Sequence, residues 1–222
     1  MIIALILSLP AARAASPEYP PLTIATEDAP PISDGSGGEV SGLATEIVRR
    51  AMDQVGVGYS IAVYPRKRGF DIALRHANSC VYALNRTAER EPRFKWVGPL
   101  LHGGWDLYAM ADNRTEVSSL AALKTYRVGS TGGDAISIYL RQNGLNPQEV
   151  QAADADELNI RKLQSGRIDF WATGRLRGSY IGAKLGASLR HVMVLREVGL
   201  YLACNRSVDD KLIASLNDAL RR

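Results

Sequence analysis

Residues 80–91, with the sequence CVYALNRTAERE, place a polar, arginine-bearing segment directly after a short apolar run. The apolar residues 80–84 are typical of a buried strand, so the polar segment begins at the carboxyl end of that strand. Ligands of open α/β folds bind at such strand ends. Guanidinium groups there can hold a carboxylate through two parallel hydrogen bonds. The alternative is a solvated charged turn, and this segment alone does not decide between the two.

Strand-like and helix-like segments alternate on both sides of this stretch. Residues 22–26 and 59–64 have strand patterns, and apolar residues recur at helical spacing over 43–55 between them. In the second half, residues 168–172 form a buried-type strand, and residues 209–220 predict a final amphipathic helix. This alternation predicts an α/β protein with open sheets and helices on both faces.

The composition is that of an ordinary globular protein of one or two domains. The 222 residues are 46% hydrophobic and 23% charged, and 27 Lys and Arg against 23 Asp and Glu give a formal net charge of +4. No run of clustered basic residues stands out. We therefore expect neither a nucleic-acid partner nor a polybasic membrane-binding surface.

The amino-terminal residues indicate export. Residues 1–9 are apolar but too few to span a bilayer, and Ala12-Arg13-Ala14 has the small-x-small pattern of a cleavage site. We interpret residues 1–14 as a signal peptide, although no Lys or Arg precedes the apolar run. The alternative is a buried amino-terminal strand. Export predicts a periplasmic protein, in which two cysteines can form a disulfide.

The residue patterns of common enzyme and metal sites do not occur. The chain has no GxSxG nucleophile elbow, and no Walker A lysine follows the loop 129–132. It has neither CxxC nor HxxxH, which argues against a structural zinc site. Glu27 and Asp28 are adjacent carboxylates that could act in acid/base chemistry, but such pairs are common on surfaces. We predict no enzymatic activity, no catalytic residue, no metal and no cofactor.

Several motifs follow one another along the chain in a fixed order. They are Thr26–Pro31, Gly42–Ile47, the T-x-x-R motif Thr87–Arg90, Phe94–Leu100, Ser165–Asp169, and Tyr201–Ala203 with the helix over 209–220. Their order and spacing over almost the whole mature chain resemble those of extracellular solute-binding proteins of family 3. These are the periplasmic receptors of polar amino-acid ABC importers.

The resemblance implies a type II periplasmic-binding-protein clamp, in which two lobes, each an open mixed sheet flanked by helices, are joined by two hinge strands. Lobe 1 would comprise residues 15–104 plus 204–222, and lobe 2 residues 105–203. The hinge strands would lie near 105–111 and 198–204. Ligand binding closes such lobes by hinge motion.

The implied function is capture of a small carboxylate-bearing solute, an amino acid or an organic acid. The protein would act as a monomer and deliver the solute to an ABC permease in the inner membrane. Two alternatives remain at this point. One is a dehydratase-like enzyme on the same fold, and the other is a ligand-sensing receptor domain without transport.

In the family, the arginine of the T-x-x-R motif holds the ligand's carboxylate, and Arg90 stands at that position. The backbone at the end of the preceding strand, residues 83–85, and the loop 130–132 of the second lobe would complete a polar shell around the ligand. The ligand-binding residues predicted in this way are Glu27, Arg66, Ala83, Asn85, Arg86, Thr87, Arg90, Ser130, Thr131, Gly132 and Trp171.

Two positions depart from the family pattern. Ile32 replaces an aromatic residue, and Gly174 stands where amino-acid receptors have an acidic residue for the ligand's α-amino group. Because a buried ammonium group without a partner is costly, we expect organic acids or acidic compounds to be preferred over basic amino acids. Glu27, Asp28 or Asp134 could instead supply the missing charge.

The resemblance also implies a disulfide between Cys80 and Cys204. In the family, the return strand that Cys204 ends lies antiparallel to the strand that Cys80 opens. Opposed residues of such a pair are within disulfide reach. The alternative is two buried, unreactive thiols.

Overall fold

A computed structural model describes residues 19–132, 134–146 and 149–221 of the chain. The predicted signal peptide, residues 1–14, lies outside the described residues. Within the described ranges, no helix combines the length and apolar character of a membrane span.

Eight strands and six α-helices make up the described part of the fold. The strands are β1 Leu22–Thr26, β2 Tyr59–Val63, β3 Ser79–Asn85, β4 Lys95–Met110, β5 Val128–Thr131, β6 Val150–Ala153, β7 Phe170–Gly174 and β8 Leu189–Cys204. The helices are α1 Leu43–Val55, α2 Arg66–Arg75, α3 Ala135–Gln142, α4 Asp156–Gln164, α5 Arg175–Lys184 and α6 Asp210–Ala219. Short 3₁₀ turns lie at Glu91–Arg93 and Ala121–Thr125.

The strands form one sheet in the order β2-β1-β3-β8-β4-β7-β5-β6. At one end, β1 runs parallel to β2 and β3, and at the other β5 runs parallel to β6 and β7. Between these groups, β4 and β8 pair antiparallel with each other over most of their length. We call the β2-β1-β3 group with α1, α2 and α6 the first lobe, and the β7-β5-β6 group with α3, α4 and α5 the second lobe.

Each lobe has apolar cores on both faces of the sheet, because successive strand residues point to opposite sides. In β1, Ile24 packs with Met52 of α1, whereas the next residue, Ala25, packs in a separate cluster. In β7, Phe170 and Trp171 likewise belong to two different cores. The predicted α/β class with helices on both faces is therefore confirmed.

The long strands β4 and β8 belong to both lobes. Along β4, Leu101 packs against the core of the first lobe and Trp105 lies in that of the second. Along β8, Val198 contacts the second-lobe core and Leu202 is buried in the first. Each of these two strands therefore crosses from one lobe to the other over only a few of its residues.

The sequence predicts a lobe boundary between residues 104 and 105 and hinge strands near 105–111 and 198–204. In the structure, the change of core lies between Leu101 and Trp105 on β4 and between Val198 and Leu202 on β8. A continuous apolar strand has the same alternating pattern whichever core it faces, so its residues do not reveal where it changes lobes.

The predicted disulfide is confirmed. Strand β8 pairs antiparallel with β3, and Cys80 lies directly opposite Cys204 in that register. The two sulfur atoms are bonded, and 124 positions separate the cysteines in sequence. The bond attaches the end of β8 to the first lobe.

Candidate functional site

A cavity of about 630 Å³ lies between the two lobes. From the first lobe it is lined by the ends of β1 and β3 and the start of α2, and from the second by the β5–α3 loop and the starts of α4 and α5. Several of these are carboxyl ends of strands, where open α/β folds bind ligands. The cavity is therefore the candidate ligand site.

Arg90 lies half-buried at this cavity, immediately before the 3₁₀ turn that follows β3. Its Nη1 donates to the carbonyl oxygen of Asn85 at 3.2 Å, and its guanidinium carbon lies 5.5 Å from the centre of the Phe70 ring. Within the described ranges, no carboxylate forms an ion pair with it. Burial lowers the pKa of Arg90, and the charges of Arg66 and Arg93 lower it further, against the opposing effect of Glu89. Arg90 is thus a partly desolvated cation that no carboxylate of the described residues holds in an ion pair.

The backbone of β3 bends where it reaches the cavity. The pairing of β3 with β8 shifts register between Val81 and Leu84, and Ala83 there has a φ of 62°. This left-handed conformation is unfavourable for any residue with a Cβ. The bend brings the backbone of Ala83 to the cavity wall.

We predict that Ala83→Gly stabilises the protein by about 1 kcal/mol, because glycine adopts a positive φ without a steric cost. Urea unfolding would measure the change. Ala214→Gly on the exposed face of α6 is the matched control and should destabilise by about 0.5–1 kcal/mol, since it adds glycine to a helix. Equal destabilisation by both substitutions would contradict the strained geometry at position 83.

Glu27 and Arg66 form an ion pair at the first-lobe side of the cavity. The Nε of Arg66 donates to Oε2 of Glu27 at 2.7 Å. Burial by itself would lower the pKa of Arg66, but Glu27, together with Asp134 and Asp156 across the cavity, raises it overall. The positive charge of Arg66 is therefore already balanced by protein carboxylates.

The acidic residues of the second lobe are also engaged. Asp156 accepts a hydrogen bond from the hydroxyl of Thr131 at 2.8 Å and forms an ion pair with Arg177. Arg177 also donates to the carbonyl oxygen of Pro30 at 3.3 Å and so connects the two lobes. Asp134 caps α3 by accepting from the backbone N–H of Ser137 at 2.7 Å. Burial raises the pKa of Asp134, despite this hydrogen bond.

Arg175, the first residue of α5, lies where the hinge strands meet the cavity. Its Nε and Nη2 donate to the buried carboxylate of Asp106 on β4, at 2.8 and 3.1 Å. Its Nη2 also lies 2.7 Å from Glu197 on β8. These hydrogen bonds raise the pKa of Arg175. Arg175 is therefore held by two carboxylates from the hinge strands.

The structure brings together most of the residues that the sequence predicts for the site. Those that line the cavity are Glu27, Arg66, Ala83, Asn85, Arg90, Thr131 and Gly132. Gly174, the position without the expected acidic residue, also lines it.

Four predicted site residues lie away from the cavity wall. The Arg86 guanidinium pairs with Glu91 and stacks against the rings of Trp96 and Tyr201. Thr87 lies in the turn after β3, where its backbone carbonyl accepts hydrogen bonds from the backbone N–H groups of Arg90 and Glu91.

The other two are buried in the second lobe. Ser130 is fully buried, with its hydroxyl 3.4 Å from Asp134. Trp171 is a core residue packed with Ile160 and Ile181, because its side of β7 faces a helix layer and not the cavity.

Several residues that line the cavity are absent from the set that the sequence predicts. Apart from Phe70, the charged ones are Lys67, Glu89, Arg93, Asp156, Arg175 and Arg177. Two of them carried a usable signal, since Arg93 lies three positions after Arg90 and Arg175 directly follows Gly174. In the part of the chain that the structure describes, no group of three His, Cys, Asp or Glu side chains is arranged to hold a metal ion.

No protein-family profile matches this chain, and no curated protein matches its sequence. Solved structures do match. A histidine kinase sensor domain with similarity to periplasmic binding proteins superposes with a TM-score of 0.80 at 16% identity, covering 91% of this chain and 90% of that chain. The chain has the type II periplasmic-binding-protein fold.

Other structures with this fold match over similar lengths. An arginine-bound mutant of ArgBP from T. maritima has a TM-score of 0.75 and 18% identity, covering 90% of this chain and 94% of its own. The GluR0 ligand-binding core from Nostoc punctiforme, in complex with L-glutamate, has a TM-score of 0.75 and 21% identity, covering 90% and 92%. These neighbours agree with the resemblance to solute-binding proteins of family 3, and the likeness establishes the periplasmic-binding-protein fold that the motifs predict.

Proposed function

We propose that this chain is a ligand-binding protein, without enzymatic activity, that captures a small carboxylate-bearing solute between its lobes. The observation that carries the proposal is Arg90, a partly buried cation at the cavity wall with no ion-pair partner in the described ranges. Its planar guanidinium has donors left to bind a carboxylate in bidentate geometry. Arginine and glutamate, the ligands named for two structural neighbours, both carry a carboxylate.

The charges around the cavity favour an acidic ligand. Glu27 and Asp156 are paired with arginines, and Asp134 caps a helix. Gly174 offers no side chain for an ammonium group. Glu89 also lines the cavity, but its side chain is exposed. A basic amino acid would therefore place a second positive charge where Glu27, Asp134 and Asp156 are already engaged.

A thermal-shift screen of the purified protein tests the ligand class. Organic acids and acidic amino acids should raise the melting temperature, because a ligand at 100 times its dissociation constant adds about 2.7 kcal/mol of stability. Lysine and arginine serve as the opposing set, and a response confined to them would overturn the proposed ligand class. Recovery of the bound compound, unchanged by NMR, tests the absence of catalysis. A converted product would favour the dehydratase-like alternative.

For the cellular role, we propose export through residues 1–14 and delivery of the ligand to an ABC permease from the periplasm. The match to a histidine kinase sensor domain supports ligand sensing as the second candidate. Uptake of the radiolabelled ligand in a deletion strain separates the two. Loss of uptake is expected for a transport receptor. Normal uptake with loss of a ligand-dependent transcriptional response would identify a sensor.

A further inference from the structure

Two arginines of the first lobe share one aromatic ring at the cavity. The guanidinium carbon of Arg93 lies 4.9 Å from the centre of the Phe70 ring, and that of Arg90 lies 5.5 Å from the same point. Both side chains are half-buried, and both line the cavity. Cation–π contact with Phe70 positions the two cations without neutralising either of them.

Neither arginine forms an ion pair with a carboxylate of the described residues. Within the described ranges, the Arg93 guanidinium has no ion pair or hydrogen bond, and Arg90 donates only to a backbone carbonyl. The remaining cavity arginines contrast with them. Arg66 pairs with Glu27, Arg177 with Asp156, and Arg175 with Asp106 and Glu197.

One acidic residue, Glu89, lines the cavity beside Arg90 and attracts its charge. The side chain of Glu89 is exposed, so water screens this attraction, and within the described ranges it forms no ion pair with either arginine. Lys67, also exposed at the cavity rim, adds a further positive charge. Like charges held close together without an ion-pair partner cost free energy. An anionic ligand with two charges would remove that cost.

We propose that Arg90 and Arg93 form a paired anion site that selects a short dicarboxylate over a monocarboxylate. Arg90 holds one carboxylate and Arg93 the other, with Phe70 fixing the spacing between the two guanidinium groups. This inference rests on the proposed function, since it concerns the same cavity. It makes Arg93 a specificity-determining residue.

The test compares succinate with its monomethyl ester, which keeps the chain but removes one charge. Isothermal titration calorimetry should give succinate a dissociation constant at least about tenfold lower, because a charge-assisted hydrogen bond is lost with the ester. Arg93→Gln should weaken succinate binding by about tenfold or more and change ester binding by less than about threefold. This double-mutant cycle isolates the contact between Arg93 and the second carboxylate.

Arg68→Gln is the matched control. Arg68 lies on α2 like Phe70, stacks on the Tyr64 ring at 5.1 Å, and does not line this cavity. It should leave both dissociation constants unchanged. Equal loss in Arg68→Gln and Arg93→Gln would reduce the effect to general electrostatics and overturn the site.

The other outcomes separate this inference from the proposed function. Equal binding of succinate and ester, both lost in Arg90→Gln and neither in Arg93→Gln, would overturn the paired site and leave the carboxylate receptor intact. No binding of any carboxylate would overturn both. Inorganic phosphate is the last probe. If phosphate binds more tightly than succinate and Arg93→Gln weakens phosphate binding, the two arginines hold a single dianionic group. That result would overturn the dicarboxylate assignment.

Discussion

Replacing Arg90 with methionine should weaken carboxylate binding by more than about 100-fold. Removing one partner of a desolvated charged pair costs about 3–5 kcal/mol, and each 1.4 kcal/mol is tenfold in affinity. Calorimetry with the identified ligand measures the change. The affinity of Arg90→Lys should lie between those of the wild type and Arg90→Met, because lysine keeps the charge but lacks the bidentate fork.

The stability of the unliganded protein should behave differently. Arg90 is held by a single hydrogen bond to the carbonyl of Asn85, and its charge is attracted by Glu89 and repelled by Arg66 and Arg93. Because these charge effects oppose one another, the melting temperature of unliganded Arg90→Met should stay close to that of the wild type. A folded variant without affinity identifies a binding residue and not a structural one.

Arg86→Met is the matched control for this experiment. Arg86 comes from the same polar segment, but it pairs with Glu91 and stacks on Trp96 and Tyr201 away from the cavity. Its loss should leave the dissociation constant within about twofold of the wild type, since an exposed pair contributes little. Unchanged affinity in Arg90→Met, or an equal loss in Arg86→Met, would refute the assignment of Arg90.

Removing the disulfide should have the largest effect on stability. The double variant Cys80→Ala and Cys204→Ala should lower the free energy of unfolding by about 4 kcal/mol, because a bond that closes so long a loop restricts the unfolded chain. Urea unfolding with and without a reducing agent measures this. The wild type should lose stability on reduction, whereas the variant should not respond.

Ligand affinity should survive this change. Neither cysteine lines the cavity, although Val81, the residue after Cys80, does. The side chain of Cys80 is buried in the first-lobe core, whereas that of Val81 packs in a separate cluster, because successive strand residues point to opposite faces of the sheet. Two thiols that react with iodoacetamide in the unreduced, unfolded protein would show by intact mass that the bond does not form.

The local pattern was enough to predict much of the fold. Alternating apolar residues define β2, helical spacing defines α1, and the motif order indicates a type II periplasmic-binding-protein architecture. The pairing of Cys80 with Cys204 followed from that architecture, since β3 and β8 are antiparallel neighbours. Each of these features depends on spacing along the chain or on a known topology, and both can be read without coordinates.

The orientation of individual side chains was less accessible. Phe170 and Trp171 are adjacent and equally apolar, yet they enter different cores. Which face of β7 carries a helix depends on how distant elements pack. The sequence therefore indicated a buried strand but did not show that Trp171 points away from the ligand.

The same division holds within the segment that follows β3. The residues of this segment by themselves show that several arginines and a T-x-x-R motif follow a buried strand. They therefore predict an anion site at the carboxyl end of that strand. Only the tertiary structure decided which arginines face the cavity. Arg86 is drawn away by Glu91 and by aromatic rings from β4 and β8, while Arg90 and Arg93 lie against Phe70 of α2. Those partners are remote in sequence, so the direction of each side chain is set by long-range packing and charge pairing that no local pattern encodes.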